Sequence, residues 1–178
     1  MDEPITVAEY DQRWPHLFGQ EQRRIRRALG DAVVDVQHFG STAVPGLAAK
    51  PIVDVLVGIR TSKLDEGQIA TLEGLGYQYL GEAGVPGRLA FRKRHPAAFN
   101  LAVVRWGERL WRDNLALRDY LRANPEDARR YAQHKRDLVE SGVSSLLGYS
   151  EAKEALVAEL LCHARSSRRR TGGFPYSS

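Results

Sequence analysis

The sequence predicts a single domain of the α/β or α+β class that ends in a C-terminal helical subregion. The length of 178 residues fits one domain and allows a real core. Up to residue 105, stretches with the alternation of strands are interspersed with stretches of helical periodicity, and the remaining third carries helical patterns alone. We assign residues 1–165 to this domain and expect residues 166–178 to form a disordered basic tail.

The first half of the chain predicts three strands and one helix. A short edge strand is expected over residues 5–10, and Pro15 stands in the first turn of a helix that extends to residue 29. A strand over residues 32–39 follows the Gly-Asp pair that ends this helix. Residues 52–59 are the most apolar stretch and predict a central strand.

The second half begins with a helix over residues 62–75 and strands over residues 77–81, 89–94 and 99–105. In the last of these strands, Phe99, Leu101 and Val103 share one face, and Asn100, Ala102 and Val104 share the other. Three helices follow, over residues 108–123, 124–141 and 151–165, and Ser150 is the expected N-cap of the third.

Composition narrows the functional class. No apolar run approaches the ~20 residues that span a bilayer, and the start MDEPITVAEY lacks the apolar region of a signal peptide. The single cysteine, Cys162, cannot form an internal disulfide, and no Cys/His cluster resembles a zinc site. These features favour the cytoplasm and predict no membrane partner.

The basic charge does not predict a nucleic-acid interface. The net charge is +4, and four arginines, at positions 165, 168, 169 and 170, follow the last acid of the chain, Glu159. The body of the domain is therefore close to neutral, whereas nucleic-acid binders usually carry their excess charge as a patch on the folded surface. We expect a small-molecule partner instead.

The strongest candidate for chemistry is Asp54, a carboxylate inside the apolar strand over residues 52–59. Such a group is costly unless it is paired, hydrogen-bonded or metal-bound. A strand next to residues 38–40 would bring Asp54 close to the Gly40-Ser41 turn, whose glycine allows close approach of a ligand and whose serine adds a hydroxyl. The structural alternative is an acid bonded to Lys50 or to a loop amide.

Three basic residues, Arg118, Lys135 and Lys153, lie on apolar faces of predicted helices. Their stems should be buried and their charges directed at an opening or an anion, although each could equally extend to solvent. With the Gly-Ser turn they predict a cationic pocket, which Tyr149 could also reach. His38 could contact the ligand or hold the loop, and the second role is favoured.

The stretch HFGSTAVPGLAAKPIVDV, residues 38–55, resembles the signature of the GrpB-like family. The resemblance continues in the Asn100-Leu101 pair, in LRDYL at 117–121, at residues 131–135, and in Tyr149 and Lys153, and it spans roughly residues 5–165. It implies a nucleotidyltransferase superfamily fold, which is a small mixed sheet flanked by helices with the Gly-Ser turn at the active-site edge.

In catalytic nucleotidyltransferases that turn grips the nucleotide phosphates. Two carboxylates spaced Asp-x-Asp/Glu and a third on a later strand hold two metal ions that stabilise the displacement at phosphorus. Asp54 matches the first carboxylate, but Leu56 stands at the second position, and the later strand offers only Asn100 and Ala102. The metal-binding half of the pattern is therefore degenerate, and at most a single Mg²⁺ on Asp54 is expected.

Together, these features predict a nucleotidyltransferase-like enzyme or a nucleotide- or phosphate-binding protein that acts on a small phosphorylated or anionic molecule. The candidate catalytic residues are Ser41, Lys50 and Asp54. The candidate ligand-binding residues are His38, Gly40, Ser41, Thr42, Asn100, Arg118, Lys135, Tyr149 and Lys153. A non-catalytic binding module and an acyl- or amide-transferring enzyme on the same scaffold remain alternatives, because fold alone does not determine function.

Overall fold

The computed structural model describes residues 6–61, 63–142 and 146–171, and a five-stranded sheet forms its centre. The strands are β1 (Val33–Phe39), β2 (Val53–Ile59), β3 (Gln78–Tyr79), β4 (Leu89–Lys93) and β5 (Phe99–Arg105), in the spatial order β1-β2-β5-β4-β3. The β2–β5 pair is parallel and the other pairs are antiparallel, so the expected mixed sheet is confirmed.

Two helices cover one face of the sheet. They are α1 (Trp14–Leu29) and α2 (Glu66–Gly74), and they enclose a core with the inward side chains of β2 and β5. Ile25 of α1, Leu72 of α2 and Val55 of β2 are fully buried in it. Phe99, Leu101 and Val103 point into this core, as the alternation in β5 predicts.

The other face packs against the C-terminal helices α3 (Arg109–Ala123), α4 (Pro125–Glu140) and α5 (Leu146–Thr171). Leu56, Ala102 and Val104 meet Trp111 and Leu115 of α3 there. A third cluster joins the loop after β1 to the helices through Leu47, Leu121, Tyr131, Leu156 and Leu160. The loop that carries the Gly-Ser turn is therefore held between the sheet and the helical subregion.

Most of the predicted elements are present, and the differences lie at their ends. In place of an edge strand, residues 6–10 contain a single bridge between Ala8 and Ala49. The helix expected from residue 62 begins at Glu66 because Asp65 and Gln68 form a capping box that sets its start.

The last helix is longer than predicted at both ends. It begins at Leu146, so Ser150 lies inside it and the prediction of a Ser150 N-cap is wrong. It continues to Thr171, so the segment from Ser166 to Thr171 is helical rather than disordered. Arg165, which donates to Asp113 of α3 from its Nε at 3.0 Å, attaches this end of α5 to the domain. Residues 172–178 of the expected tail lie outside the described residues.

None of the helices within the described ranges combines the length and apolar composition required to cross a membrane.

Candidate functional site

Strand pairing brings three chain segments together at one edge of the sheet. Phe39 at the end of β1 is the partner of Asp54, and Asp54 is in turn the partner of Asn100 in β5. The Nδ2 of Asn100 donates to Oδ1 of Asp54 at 2.9 Å. The predicted proximity of Asp54 to the Gly40-Ser41 turn is present, and its cause is the antiparallel β1–β2 register.

The carboxylate of Asp54 lies directly against the backbone of Gly40. A Cβ at position 40 would overlap Oδ2 of Asp54, and Gly40 has a φ of +70°. Both the close approach and the left-handed backbone require glycine here. Ser41 begins a single 3₁₀ turn, Ser41–Ala43, immediately after it.

The environment of Asp54 is dominated by desolvation and by cations. Burial raises the pKa of the Asp54 carboxyl. This rise is opposed by the hydrogen bond from Asn100 and by the charges of Lys153, Arg94 and Lys50. The structural alternative for Asp54 was a bond to Lys50. In the structure Asn100 supplies the hydrogen bond to Asp54, and Lys50 is one of three cations whose charges act on the carboxylate.

Lys135 is held behind the Gly-Ser turn. Its Nζ is 3.0 Å from Oγ of Ser41 and also donates to the carbonyl oxygen of Ala48. The side chain is 2% exposed, and Nζ lies 4.6 Å from the centre of the Tyr131 ring. Burial lowers the pKa of Lys135 to about 7, with further lowering by the charges of Lys153 and Arg136 against an opposing effect of Asp54.

A cavity of about 610 Å³ opens in front of this edge. Ser41, Asp54, Asn100, Arg118 and Lys153, all of which the sequence analysis selected, line it together with Gly40. Much of the remaining wall is apolar and includes Phe39, Leu80, Val85, Phe91, Leu101, Leu117, Leu121 and Val157. The geometry suits a small molecule with an apolar body and a polar end.

Arg88 is a lining residue that the sequence analysis did not select. It follows the Gly/Pro loop between β3 and β4, where only a turn was predicted. Its terminal nitrogen donates to the carbonyl oxygen of Ala83 at 2.9 Å. Its Nε is buried and has no hydrogen-bond partner within the part of the chain that the structure describes. Burial lowers the pKa of Arg88, and the charge of Asp54 opposes this effect.

Asn114 and Glu154 also line the cavity and were also missed. Each lies on a helix surface, and helical periodicity alone does not indicate which polar residue faces a cavity. The lining cations are Arg88, Arg118 and Lys153, and the lining acids are Asp54 and Glu154, so the balance favours an anionic ligand.

Arg118 forms hydrogen bonds within the protein and also lines the cavity. Its guanidinium donates to Oε1 of Gln37 and to the carbonyl oxygen of His38, both at 2.9 Å, and pairs with Asp119. These bonds fasten α3 to β1. The side chain is only 6% exposed but lines the cavity, and its ligand-binding role stays a prediction.

His38 and Thr42 lie behind the turn. The Nε2 of His38 is 2.9 Å from Oγ1 of Thr42, and the imidazole stacks on Phe18 at 4.8 Å. Burial, followed by the charges of Arg122 and Arg118, lowers the pKa of His38 to about 4, so the ring is neutral at pH 7. Both residues support the loop, in agreement with the role favoured for His38.

Lys50 and Lys135 do not belong to the cavity wall as far as the described residues define it. Lys50 acts on Asp54 through its charge, and Lys135 acts through Ser41. Lys153 lies in the wall, and the side chain of Tyr149 lies outside the described residues.

The residues present do not fit a protein-held magnesium site. Leu56, two positions after Asp54, is fully buried against Ala102, so the apolar pair Leu56 and Ala102 occupies the positions where further carboxylates are needed. The described part of the chain contains no group of three or more His, Cys, Asp or Glu residues placed to hold a metal ion. A single carboxylate surrounded by cations is a poor donor set for Mg²⁺, which prefers oxygen ligands.

Comparison with known proteins identifies the family. The family model described as "GrpB protein" matches residues 4–163. The chain belongs to the GrpB family. A relative from Halalkalibacterium halodurans, UPF0157 protein BH1888, is 38% identical over 165 residues, which cover 92% of this chain and 84% of that protein.

The crystal structure of the conserved protein GrpB from Enterococcus faecalis is similar at a TM-score of 0.85 and 31% identity. That similarity covers 92% of this chain and 99% of the other, so the fold is that of the family. Terminal uridylyl transferase 4 from Trypanosoma brucei is similar at a TM-score of only 0.49 and 18% identity, over 90% of this chain and 53% of the other, and we draw nothing from it.

Proposed function

We propose that this GrpB family member binds a small molecule that carries a phosphate or similar anionic group and an apolar body, with a nucleotide as the leading candidate. The anion occupies the cavity edge between Ser41, Arg88 and Lys153. The apolar body packs on the wall that contains Phe39, Leu117 and other apolar side chains.

The observation that carries this proposal is the buried Nε of Arg88, which has no hydrogen-bond partner among the described residues. A buried donor without a partner costs about 1–3 kcal/mol, and more when it is charged. Nε is closed to solvent in this conformation, so an anionic oxygen satisfies it once the Arg88 side chain turns toward the cavity. The anion also neutralises the excess of cations in the wall. The same oxygen could accept from the hydroxyl of Ser41.

Nucleotidyl transfer, which the family resemblance implies, is the catalytic form of this proposal. Its usual two-metal site lacks support because Leu56 and Ala102 occupy the positions of two of the carboxylates. The presence of Leu56 and Ala102 favours the alternative, which is a binding module that does not require metal. A cytoplasmic location, which the single cysteine favours, would give either form access to small metabolites.

The test is calorimetric titration of the protein with phosphate, pyrophosphate and each nucleoside mono- and triphosphate, with Mg²⁺ or with EDTA. We expect binding in EDTA. We also expect Arg88→Gln to weaken it about 10- to 100-fold, because a charge-assisted hydrogen bond contributes about 1.5–3 kcal/mol. The control is Arg129→Gln, which removes an exposed arginine of α4 outside this cavity and leaves affinity unchanged.

Absence of binding to every member of the panel would contradict the proposal, as would equal effects of the two arginine variants. Release of pyrophosphate from a nucleoside triphosphate only in the presence of Mg²⁺ would favour nucleotidyl transfer over the binding module.

A further inference from the structure

The pair formed by Ser41 and Lys135 has a geometry that anion binding does not require. The hydroxyl of Ser41 lies on the cavity wall, whereas Lys135 is buried behind it with Nζ 3.0 Å from the hydroxyl oxygen. A general base must lie within hydrogen-bond reach of the proton that it removes, either directly or through one water molecule. Lys135 satisfies this condition for the Ser41 hydroxyl.

Lys135 is also oriented by a third group. Its Nζ donates to the carbonyl oxygen of Ala48 and lies over the ring of Tyr131. A neutral amine can donate to Ala48 and accept the proton of Ser41 at the same time. A nucleophile, a base and a group that orients the base are the elements of serine-based catalysis, and serine–lysine pairs are one known form of it.

We propose that Ser41 is a nucleophile activated by Lys135, and that the cavity accepts a carboxylic ester or thioester with an apolar acyl group. This activity does not depend on the anion binding proposed above. The acyl group packs on apolar wall residues such as Phe39, Leu117 and Leu121.

The reaction balances within the chain and water. The Ser41 hydroxyl passes its proton to the Lys135 amine, and its oxygen forms a bond to the acyl carbon. The bond from that carbon to the alcohol or thiol then breaks, and a water molecule beside Ser41 relays the proton from Lys135 to the leaving group. A second water, which loses its proton to Lys135 through the same relay, hydrolyses the acyl-serine ester and regenerates the hydroxyl. Lys153, whose charge reaches both Lys135 and Asp54, stabilises the oxyanion.

The protonation of Lys135 determines when the pair is active. The groups that face it are Lys153 of α5 and Arg136 of α4, which favour the neutral amine, and Asp54 of β2, which opposes them. Burial of Lys135 is the largest cause that favours the neutral amine, and together these effects lower the pKa of Lys135 to about 7. The amine is therefore available as a base near neutral pH, unlike an ordinary lysine.

The experiment reacts the full chain with an alkyl fluorophosphonate and with p-nitrophenyl butyrate between pH 6 and pH 9, and locates the adduct by peptide mass spectrometry. We expect a single adduct on Ser41, formed at a rate that rises with pH through about 7. Lys135→Arg keeps the positive charge but cannot supply a free base, so labelling should slow about 100-fold or more.

Ser41→Ala should abolish the adduct. The control is Ser141→Ala, which removes an exposed hydroxyl at the end of α4 and should leave labelling unchanged. Three results would overturn the proposal, namely no adduct on the wild-type chain at any pH, an adduct that persists in Ser41→Ala, or wild-type labelling rates in Lys135→Arg. If circular dichroism shows Lys135→Arg to be unfolded, the wild-type pH profile decides, and a flat profile overturns the proposal.

Discussion

The carboxylate of Asp54 and the backbone of Gly40 are in direct contact, and the space for a side chain at position 40 is already occupied by Oδ2 of Asp54. This contact joins the end of β1 to the start of β2 at the cavity edge. It explains why the turn begins with glycine, and it makes the position of the acid depend on the shape of the turn.

Gly40→Ala should therefore do more than strain the backbone. The backbone of Gly40, with φ of +70° and ψ of −169°, alone costs an alanine about 1–3 kcal/mol, and the Cβ would in addition displace Asp54. We expect a larger loss of unfolding free energy than for Gly46→Ala, whose φ of +77° is similar but whose Cβ meets no atom within 4 Å. Urea unfolding measures both, and equal losses would show that the contact is not limiting.

Asp54→Asn should be at least as stable as the wild type above neutral pH. The folded-state pKa of Asp54 is raised above its ordinary value of 3.8, so ionisation destabilises the fold as pH rises through and beyond that value. An amide avoids this cost. Calorimetry at pH 4, 6 and 8 should show a Tm difference that favours the variant and shrinks toward pH 4.

A matched control for Asp54→Asn is Asp137→Asn at an exposed site on α4. The Tm difference between Asp137→Asn and the wild type should not grow in favour of the variant as pH rises from 4 to 8. A Tm of Asp54→Asn that lies below the wild type at pH 8 would mean that the cations around Asp54 outweigh its desolvation.

His38 should make the fold sensitive to mild acid. Its pKa is lowered from 6.5 to about 4, so its contribution to stability is fully present above pH 6.5 and is lost as pH falls toward 4. The loss amounts to roughly 3 kcal/mol at most. His38→Gln, which can still bond to Thr42, should flatten this part of the curve of unfolding free energy against pH. A variant curve parallel to the wild type would refute the role of His38.

A buried ion pair lies on the face of the sheet opposite the cavity. Removal of one partner should lower the unfolding free energy strongly, whereas replacement of both partners should lower it much less. Glu21 of α1 and Lys93 of β4 are 1% and 5% exposed, and Lys93 Nζ is 2.9 Å from Oε1 of Glu21. Lys93→Met leaves the carboxylate with Arg24, an exposed partner at 3.2 Å, and should cost about 3 kcal/mol.

The double variant Glu21→Gln with Lys93→Met should recover much of that loss, because no buried charge remains. Lys63→Met, at an exposed site, is the control for removal of a lysine. Additive losses in the double variant, measured by urea unfolding, would show that the two side chains are not coupled.

Local patterns were sufficient to predict most of the fold. The alternation in β5, the apolar run of β2 and the proline at the start of α1 each act over a few residues, and the structure confirms them. The helix ends were harder to predict, because α5 is extended by packing and by a bond from Arg165 to Asp113, fifty-two positions apart in the chain.

In the candidate site too, some residues were identifiable from local patterns and others only from the folded structure. Asp54 was identifiable because a carboxylate in an apolar strand is unusual. The Gly-Ser pair is common by itself and became a candidate only because a neighbouring strand would bring Asp54 close to it. Arg88 was not identifiable, because a basic residue after a loop is ordinary until the fold buries its Nε beside a cavity.

The sequence by itself determined the order of strands and helices, the family signature and the absence of acids at positions 56 and 102. Only the tertiary structure decided that Lys135 is bonded to Ser41, that His38 supports the loop and that Arg88 faces the cavity. The reason is physical: periodicity depends on neighbours along the chain, whereas desolvation and pairing of a charge depend on segments that approach only when the sheet and the C-terminal helices have packed.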